Sequence, residues 1–288
     1  MHLTGIDEAG YGPFLGPLAV VAVTVAADDA DAVARALAPT GVRDSKRVHD
    51  PDDLGAIESI ALPALAWLLG GRPGSAAEIF AALGEEPQDR AAWPWLAGAE
   101  ALRLPVGSHP IPTWRLDGVA PVRLGGALFH SHHLNVARRA GTNRAEVELA
   151  CVLNLIAAAW TSQEPHRCWV DRLGGRRYYA EALTGRFPDD RLTTLREAPE
   201  VAAYRLQRAD GCLDIGFHVG GESVSPLVAM ASCIAKYSRE LSLRLLNAWG
   251  ATQAPGIAPT AGYPLDAKRW LADLGRSGLA IPADLVRE

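Results

Sequence analysis

The feature that most restricts the fold is the opening run Gly5-Ile6-Asp7-Glu8-Ala9-Gly10-Tyr11-Gly12-Pro13, followed by Gly16-Pro17 and the apolar stretch from Leu18 to Ala27. Residues 2 to 7 are apolar with polar interruptions, residues 9 to 13 are turn formers, and residues 18 to 25 are rich in valine. β-Branched residues suit a pleated surface and glycine-proline clusters interrupt it, so the pattern predicts a strand, a tight loop and a second strand. Asp7 and Glu8 then close the first strand beside a backbone that a ligand can approach closely.

Two more acids stand in similar positions. The apolar run Cys168-Trp169-Val170 ends in Asp171 ahead of Gly174-Gly175, and Glu222 follows the predicted strand Leu213 to Val219 and Gly220-Gly221. Carboxylates at three strand ends suggest one hard divalent-cation site, because carboxylate oxygens favour Mg²⁺ or Mn²⁺. Packed together without a cation they would repel and take up protons. Caps and solvated loop acids are the competing reading, which spacing alone leaves open.

Elsewhere, Asp28 to Ala38 has helical spacing and Gly41 to Val48 is a polar loop. From residue 50 the texture changes: helical stretches such as Ala76 to Leu83 alternate with proline and glycine breaks and a Trp93-Pro94-Trp95 cluster. We read residues 50–118 as a mainly helical insertion or subdomain with a small core of its own and no assigned role, set into a domain of residues 1–49 and 119–288. Asn143 to Trp160 reads as a helix with Val147, Cys151, Leu155 and Ala158 at helical spacing and Glu146 in the first turn. A further helix is expected from Arg176 to Leu183, and Val201 to Arg208 with Leu213 to Val219 reads as a hairpin about Ala209-Asp210-Gly211. Pro226 to Trp249 and Leu265 to Leu274 complete the predicted helices. Strands and helices intermix, which gives an α/β or α+β class with a mixed sheet.

Composition narrows the function classes. A 288-residue chain that is 49% hydrophobic can bury a sizeable core, which excludes disorder as the main state. Its longest apolar runs, residues 18–27 and 60–69, fall short of the roughly 20 residues needed to cross a bilayer. The N-terminus lacks a basic segment ahead of an apolar stretch, so a cytoplasmic location is expected. Cys151, Cys168, Cys212 and Cys233 form no Cys-x-x-Cys pair and are expected to be buried free thiols. A net charge of −5 offers a polyanion no long-range attraction. Only Lys46, Lys236 and Lys268 of the 28 basic residues are lysine, and the arginines suit bidentate phosphate contacts as well as salt bridges.

Three features are set aside. His130, His132 and His133 lie close together without a matched acid or cysteine, so a polar loop or helix start is expected. Trp93 and Trp95 are expected to pack rather than stack on bases. The Gly-Gly pairs at 125, 174 and 220 make no dinucleotide fingerprint.

The opening run resembles that of the type 2 ribonucleases H, the HII/HIII group, whose members begin G-[IV]-D-E-[AS]-G-[RK]-G-x-x-x-G-P. Four further segments agree in order. Asp44-Ser45-Lys46 is similar to the family's D-S-K loop, and Val170-Asp171 to the strand bearing its third acid. Glu222 with Ala229-Met230-Ala231-Ser232-Cys233-Ile234-Ala235-Lys236 resembles the acid followed by A-A-S-I-[IL]-A-K, and Gly262-Tyr263-Pro264 resembles G-Y-[GP]-T. Residues 50 to 118 are unmatched.

The resemblance implies an RNase H-like mixed β-sheet flanked by helices, with Asp7, Glu8, Asp171 and Glu222 as catalytic metal ligands. A glutamate in the fourth place is similar to the HIII branch. The implied reaction is hydrolysis of the RNA strand of an RNA/DNA hybrid, or of ribonucleotide-containing DNA, with two Mg²⁺ or Mn²⁺ ions: one activates water and the other stabilises the leaving 3′-oxygen. Gly10, Tyr11, Gly12, Lys46, Ser232, Lys236 and Tyr263 are the implied substrate contacts, on a chain expected to be a monomer without membrane association. Ser232 and Lys236, four apart on one helical face, are expected to reach the same phosphate backbone.

Two departures matter. The family's basic loop residue is Tyr11 here, which can donate a hydrogen bond or stack but brings no charge, and the threonine after G-Y-[GP] is Leu265. A non-catalytic nucleic-acid-binding relative, or a related nuclease with a different nucleic-acid substrate, are the alternatives. Retention of all four acids favours an enzyme, since carboxylates without metal repel phosphate.

Overall fold

In a computed structural model, residues 1–50, 53–160 and 164–288 are described. The elements run β1 (His2–Ala9), β2 (Leu18–Ala27), α1 (Ala30–Leu37), α2 (Gly55–Leu69), α3 (Ala76–Ala82), α4 (Pro87–Ala92), β3 (Val119–Phe129), α5 (Ser131–Arg139), α6 (Arg144–Ala159) and β4 (His166–Asp171). They continue with α7 (Ala180–Arg186), β5 (Arg191–Ala198), β6 (Val201–Arg208), β7 (Gly211–His218), α8 (Pro226–Gln253) and α9 (Pro264–Arg276).

The strands form one mixed sheet of order β3-β2-β1-β4-β7-β6-β5. β1–β4 and β4–β7 are parallel, and the other pairs are antiparallel. Alternation along the strands separates two cores. Leu3, Val21, Val23 and Val25 pack on one face with α8, α2 and α3, while Ile6, Val20, Ala22 and Val170 pack on the other with α6 and α7. This is the RNase H-like arrangement expected, a mixed sheet flanked by helices.

Close packing of α8 on β1 fixes the geometry at the strand ends. A Cβ at Gly5 would overlap the backbone of Leu227 and Val228, so glycine lets the first turn of α8 rest directly on the central strand. Ser225 caps that helix by accepting from the Leu227 amide, and Pro226 occupies the first turn, where it sacrifices no helical hydrogen bond. The short 3-10 turn Gly221–Ser223 therefore presents Glu222 beside the end of β4.

Several sequence expectations need correction. Residues 50–118 do not close a small core of their own: Ile57, Ile60, Leu65 and Phe80 share one buried cluster with Val21, Val23 and α8. α2 and α3 bury their apolar faces against α8 and the edge strand β3, which merges them with the main core. β3 and β5 were not foreseen, because both are edge strands with weak patterns. β3 carries Pro121 and Gly125-Gly126, and a Cβ at Gly126 would meet the Leu83 side chain at 2.6 Å. The buried face of α6 is Leu149, Val152, Leu153 and Ile156 with Cys151, whereas Val147, Leu155 and Ala158 are only half-buried. The helix expected from Arg176 begins at Ala180, after a turn anchored by Tyr179, whose ring stacks on Phe217 at 3.6 Å. The cysteines are all free, but Cys212 is half-buried where the other three are buried. Among the described residues, no helix is long and apolar enough to cross a membrane.

Candidate active site

Parallel pairing of β1 with β4 sets Ile6 opposite Val170, so the next residues, Asp7 and Asp171, leave neighbouring strands side by side. Asp7 is buried; its Oδ1 accepts from the Glu8 amide at 2.7 Å, while its Oδ2 is buried without a partner. Burial, followed by the Asp171 and Glu222 charges, holds the Asp7 carboxyl well above the ordinary range, against a smaller lowering effect of the nearby Ser232 hydroxyl. Asp171 accepts from the Gly221 amide at 2.7 Å, which ties β4 to the turn carrying Glu222. Burial and Asp171 likewise raise Glu8 and Glu222, with Lys46 opposing both. The fold thus brings all four sequence-predicted acids into one electrostatic cluster.

Donor chemistry in this cluster fits hard divalent cations: four carboxylates, one with an unpartnered buried oxygen, destabilised by one another's charge. No three of them offer oxygens mutually within 4.8 Å, a criterion met among the described residues by Asp89, His132 and His133.

Basic and aromatic groups flank the acids. Lys46, 81% exposed at its side chain, lies 4.0 Å from Glu222 Oε1. It opens onto a cleft of about 760 Å³ that also includes Lys236, Arg239, Arg244 and Tyr263. Tyr263 is half exposed, with its ring 5.7 Å from the Arg239 guanidinium, so it is not a core residue. Leu265 is 86% exposed and offers no hydroxyl at this rim. Lys236 is less available than its motif suggests, because its Nζ is 2.8 Å from Glu240. Burial alone would raise Glu240, yet hydrogen bonds and charges from His49, Arg239 and Lys236 lower it to about 2.

Ser232 differs from expectation. It is buried, and its Oγ lies 2.9 Å from Ser45 Oγ, so it joins the Asp44-Ser45-Lys46 loop to α8. Helical position alone does not show that Ser232 is covered while Lys236 is only partly so.

The glycine loop contains the larger surprise. Gly10 has φ +93°, which L side chains rarely adopt, and a Cβ there would strike the Pro17 carbonyl. Gly12 is exposed with open space around it. The Arg144 guanidinium, from the start of α6, donates to the Tyr11 carbonyl and lies 5.5 Å from the centroid of its ring. Arg287 donates to the carbonyls of Gly10 and Gly16, both at 2.5 Å. Burial, then Arg144 and Arg239, pulls Arg287 down to about 9, which leaves it charged at neutral pH. Glu148 is buried with both carboxylate oxygens unpartnered, and burial with the Glu8 and Asp171 charges pushes it up to about 8. Sequence reasoning missed Arg144, Glu148 and Arg287; the one available signal was a charged residue on an otherwise apolar helical face at Glu148.

A family model for ribonuclease HII matches residues 4–58. A ribonuclease HII of Hyperthermus butylicus is 26% identical over 289 residues, covering 99% of this chain and 80% of that protein. In fold, the chain is similar to the crystal structure of the ribonuclease H2 from Pyrococcus horikoshii OT3, with a TM-score of 0.51 and 16% identity over 100% of this chain and 92% of the other.

Proposed function

We propose that the chain, similar to ribonucleases HII over residues 4–58 and along most of its length, is an endonuclease that hydrolyses the RNA strand of RNA/DNA hybrids using divalent cations held by Asp7, Glu8, Asp171 and Glu222. The observation that carries this reading is the unpartnered Oδ2 of Asp7, buried among carboxylates that raise its proton affinity. Such an arrangement is costly in the free protein and is relieved by cations. When bound, Mg²⁺ or Mn²⁺ ions supply an activated water and stabilise the leaving 3′-oxygen.

The remaining work falls to the chain. Lys46 offsets phosphate charge next to Glu222, and the cleft with Lys236, Arg239 and Tyr263 receives the flanking duplex. Ser45 and Ser232 hold the Lys46 loop against α8. Gly12 leaves one side of the loop open, Gly10 supplies its positive φ, and Arg287 sets its shape through the Gly10 and Gly16 carbonyls. Arg144 favours a second activity, cleavage at an isolated ribonucleotide in duplex DNA, because it returns a positive charge to the loop position where Tyr11 supplies none.

The test is cleavage of end-labelled RNA/DNA hybrid, single-ribonucleotide duplex, single-stranded RNA and duplex DNA, each with Mg²⁺ or Mn²⁺. Hybrid cleavage that Asp7→Asn and Asp171→Asn each abolish is expected. Cleavage of none of the four would leave the binding-relative alternative; cleavage of single-stranded RNA in preference to hybrid would point to a different nuclease.

A further inference from the structure

The three histidines set aside on sequence grounds meet an acid in space. Asp89 on α4, His132 and His133 on α5 each offer a ligand atom, and these atoms lie within 4.8 Å of one another. His133 Nε2 is 3.9 Å from Asp89 Oδ1, and the two imidazole centroids are 3.6 Å apart. Nδ1 of His132 and Nδ1 of His133 are both buried with no hydrogen-bond partner. Two buried, unpartnered imidazole nitrogens beside a carboxylate-bearing helix are expensive unless something accepts their lone pairs or protons.

We propose that Asp89, His132 and His133 form a second metal site, separate from the carboxylate cluster, that takes a borderline transition-metal cation such as Zn²⁺ and clamps α4 to α5.

The donor set decides the class of metal. Two imidazoles and one carboxylate suit Zn²⁺, Co²⁺ or Ni²⁺, whereas Mg²⁺ and Mn²⁺ prefer an all-oxygen site. Three protein ligands leave a tetrahedral ion one open position for water. The imidazoles are also in the form that ligates: burial, then the neighbouring histidines, lowers His132 to about 4, and burial and His130 lower His133. His130 is not available as a ligand, since its Nε2 lies 2.6 Å from the buried Glu85, which also pairs with Arg90 at 3.1 Å. Trp93 covers His132 with ring centroids 4.4 Å apart and shields one side of the site.

The place in the fold gives such an ion a purpose. α4 is six residues long and buries none of them, so apolar packing does little to hold it. Asp89 and Glu85 belong to the segment the family pattern leaves unmatched, while His130, His132 and His133 open α5 at the end of β3. A metal joining Asp89 to the two histidines would fasten that segment to the sheet. Nothing in this reading depends on the nuclease assignment.

The full-length chain is stripped with chelator, returned to buffer with millimolar Mg²⁺, and titrated with Zn²⁺ against a chromophoric chelator. One equivalent of Zn²⁺ is expected to bind wild type. His133→Gln and Asp89→Asn should each weaken binding by about 10-fold or more, and Zn²⁺ should raise the melting temperature of wild type but not of His132→Gln/His133→Gln. Co²⁺ should give the visible absorption of a tetrahedral nitrogen-ligated ion in wild type only. Asp89→Asn keeps both imidazoles and so reports on ligation if the histidine variants fold poorly. Equal Zn²⁺ binding in wild type and all three variants, binding lost in Asp7→Asn instead, or no Zn²⁺ binding under Mg²⁺ would overturn the proposal.

Discussion

Arg144 donates to the main-chain carbonyl of Tyr11 and stands 5.5 Å from the centroid of its ring. The loop position where the family pattern has a basic side chain thus carries a phenol, and a guanidinium from another element lies over that phenol. Read from the sequence, the substitution removes charge; in the fold the charge arrives from α6. Arg144→Ala should therefore reduce kcat/KM on a single-ribonucleotide duplex by about 10-fold, the scale of one charge-assisted hydrogen bond. The loss on a long hybrid should be smaller, since its neighbouring ribonucleotides offer other contacts.

Tyr11→Arg has a different expected outcome once Arg144 is considered. Taken from sequence alone, adding the missing charge gains about 1–2 kcal/mol in transition-state terms at the isolated site. Beside Arg144 the new guanidinium meets a like charge, so the gain in wild type should be small. On the Arg144→Ala background the same change should restore most of the lost kcat/KM. A double-mutant cycle measures the coupling, and additive effects would show that the two positions act separately.

Arg287 is expected to matter for both stability and turnover. Its fork reaches the Gly10 and Gly16 carbonyls from a buried position, and it opposes the upward shift of Glu8. Arg287→Met should lower unfolding stability by about 2–3 kcal/mol through the loss of charge-assisted hydrogen bonds. Arg287→Lys should rescue little, because one ammonium cannot reproduce a planar fork to two carbonyls. Urea unfolding gives the first effect and hybrid cleavage the second. A Lys variant as stable and active as wild type would mean that only the charge is needed.

What was legible in the sequence divides along the range of the interactions. β1, β2 and α8 were readable because each carries its own periodicity and turn residues, and Asp7, Glu8, Asp171 and Glu222 were readable because each ends a strand or follows a Gly-Gly turn. Arg144 acts on a residue 133 positions away and Arg287 on one 277 away, and no local pattern encodes either docking. The partner of His132 and His133 was hidden in the same way, on a helix in the unmatched segment. The burial of Ser232 under the Asp44-Ser45-Lys46 loop is not encoded in its helical face. β3 and β5 were missed because edge strands tolerate proline, glycine and charge, the residues that ordinarily argue against a strand.

Asp7→Asn offers a test of the carboxylate cluster that does not rely on turnover. In chelator the wild-type protein bears the mutual repulsion of buried acids, which the amide removes while keeping the shape. The variant should be the more stable of the two under those conditions, and inactive in Mg²⁺. Added Mg²⁺ or Mn²⁺ should raise the wild-type melting temperature and leave the variant nearly unchanged, by the mass action of binding only to the folded state. Equal metal-induced shifts in both would mean that Asp7 is not a ligand.

Glu148 is expected to make the metal-free protein lose stability as pH rises through the neutral range. Its ordinary value is 4.5 and its folded value is about 8, raised first by burial and then by the Glu8 and Asp171 charges. Below 4.5 the group is protonated in both the folded and the unfolded chain and contributes no difference. Between 4.5 and about 8 the unfolded chain has released the proton while the folded one retains it, so stability falls with rising pH across that window and levels off above it. Glu148→Gln keeps the shape and removes the titration. In chelator, melting curves of wild type and variant should converge near pH 5 and separate toward pH 8 or 9, the variant being more stable by roughly 1–3 kcal/mol. Hybrid cleavage by the variant should persist, because Glu148 is proposed neither as a metal ligand nor as a substrate contact. The same slope in both proteins would assign the titration to another group, and loss of cleavage in a well-folded variant would bring Glu148 into the metal cluster.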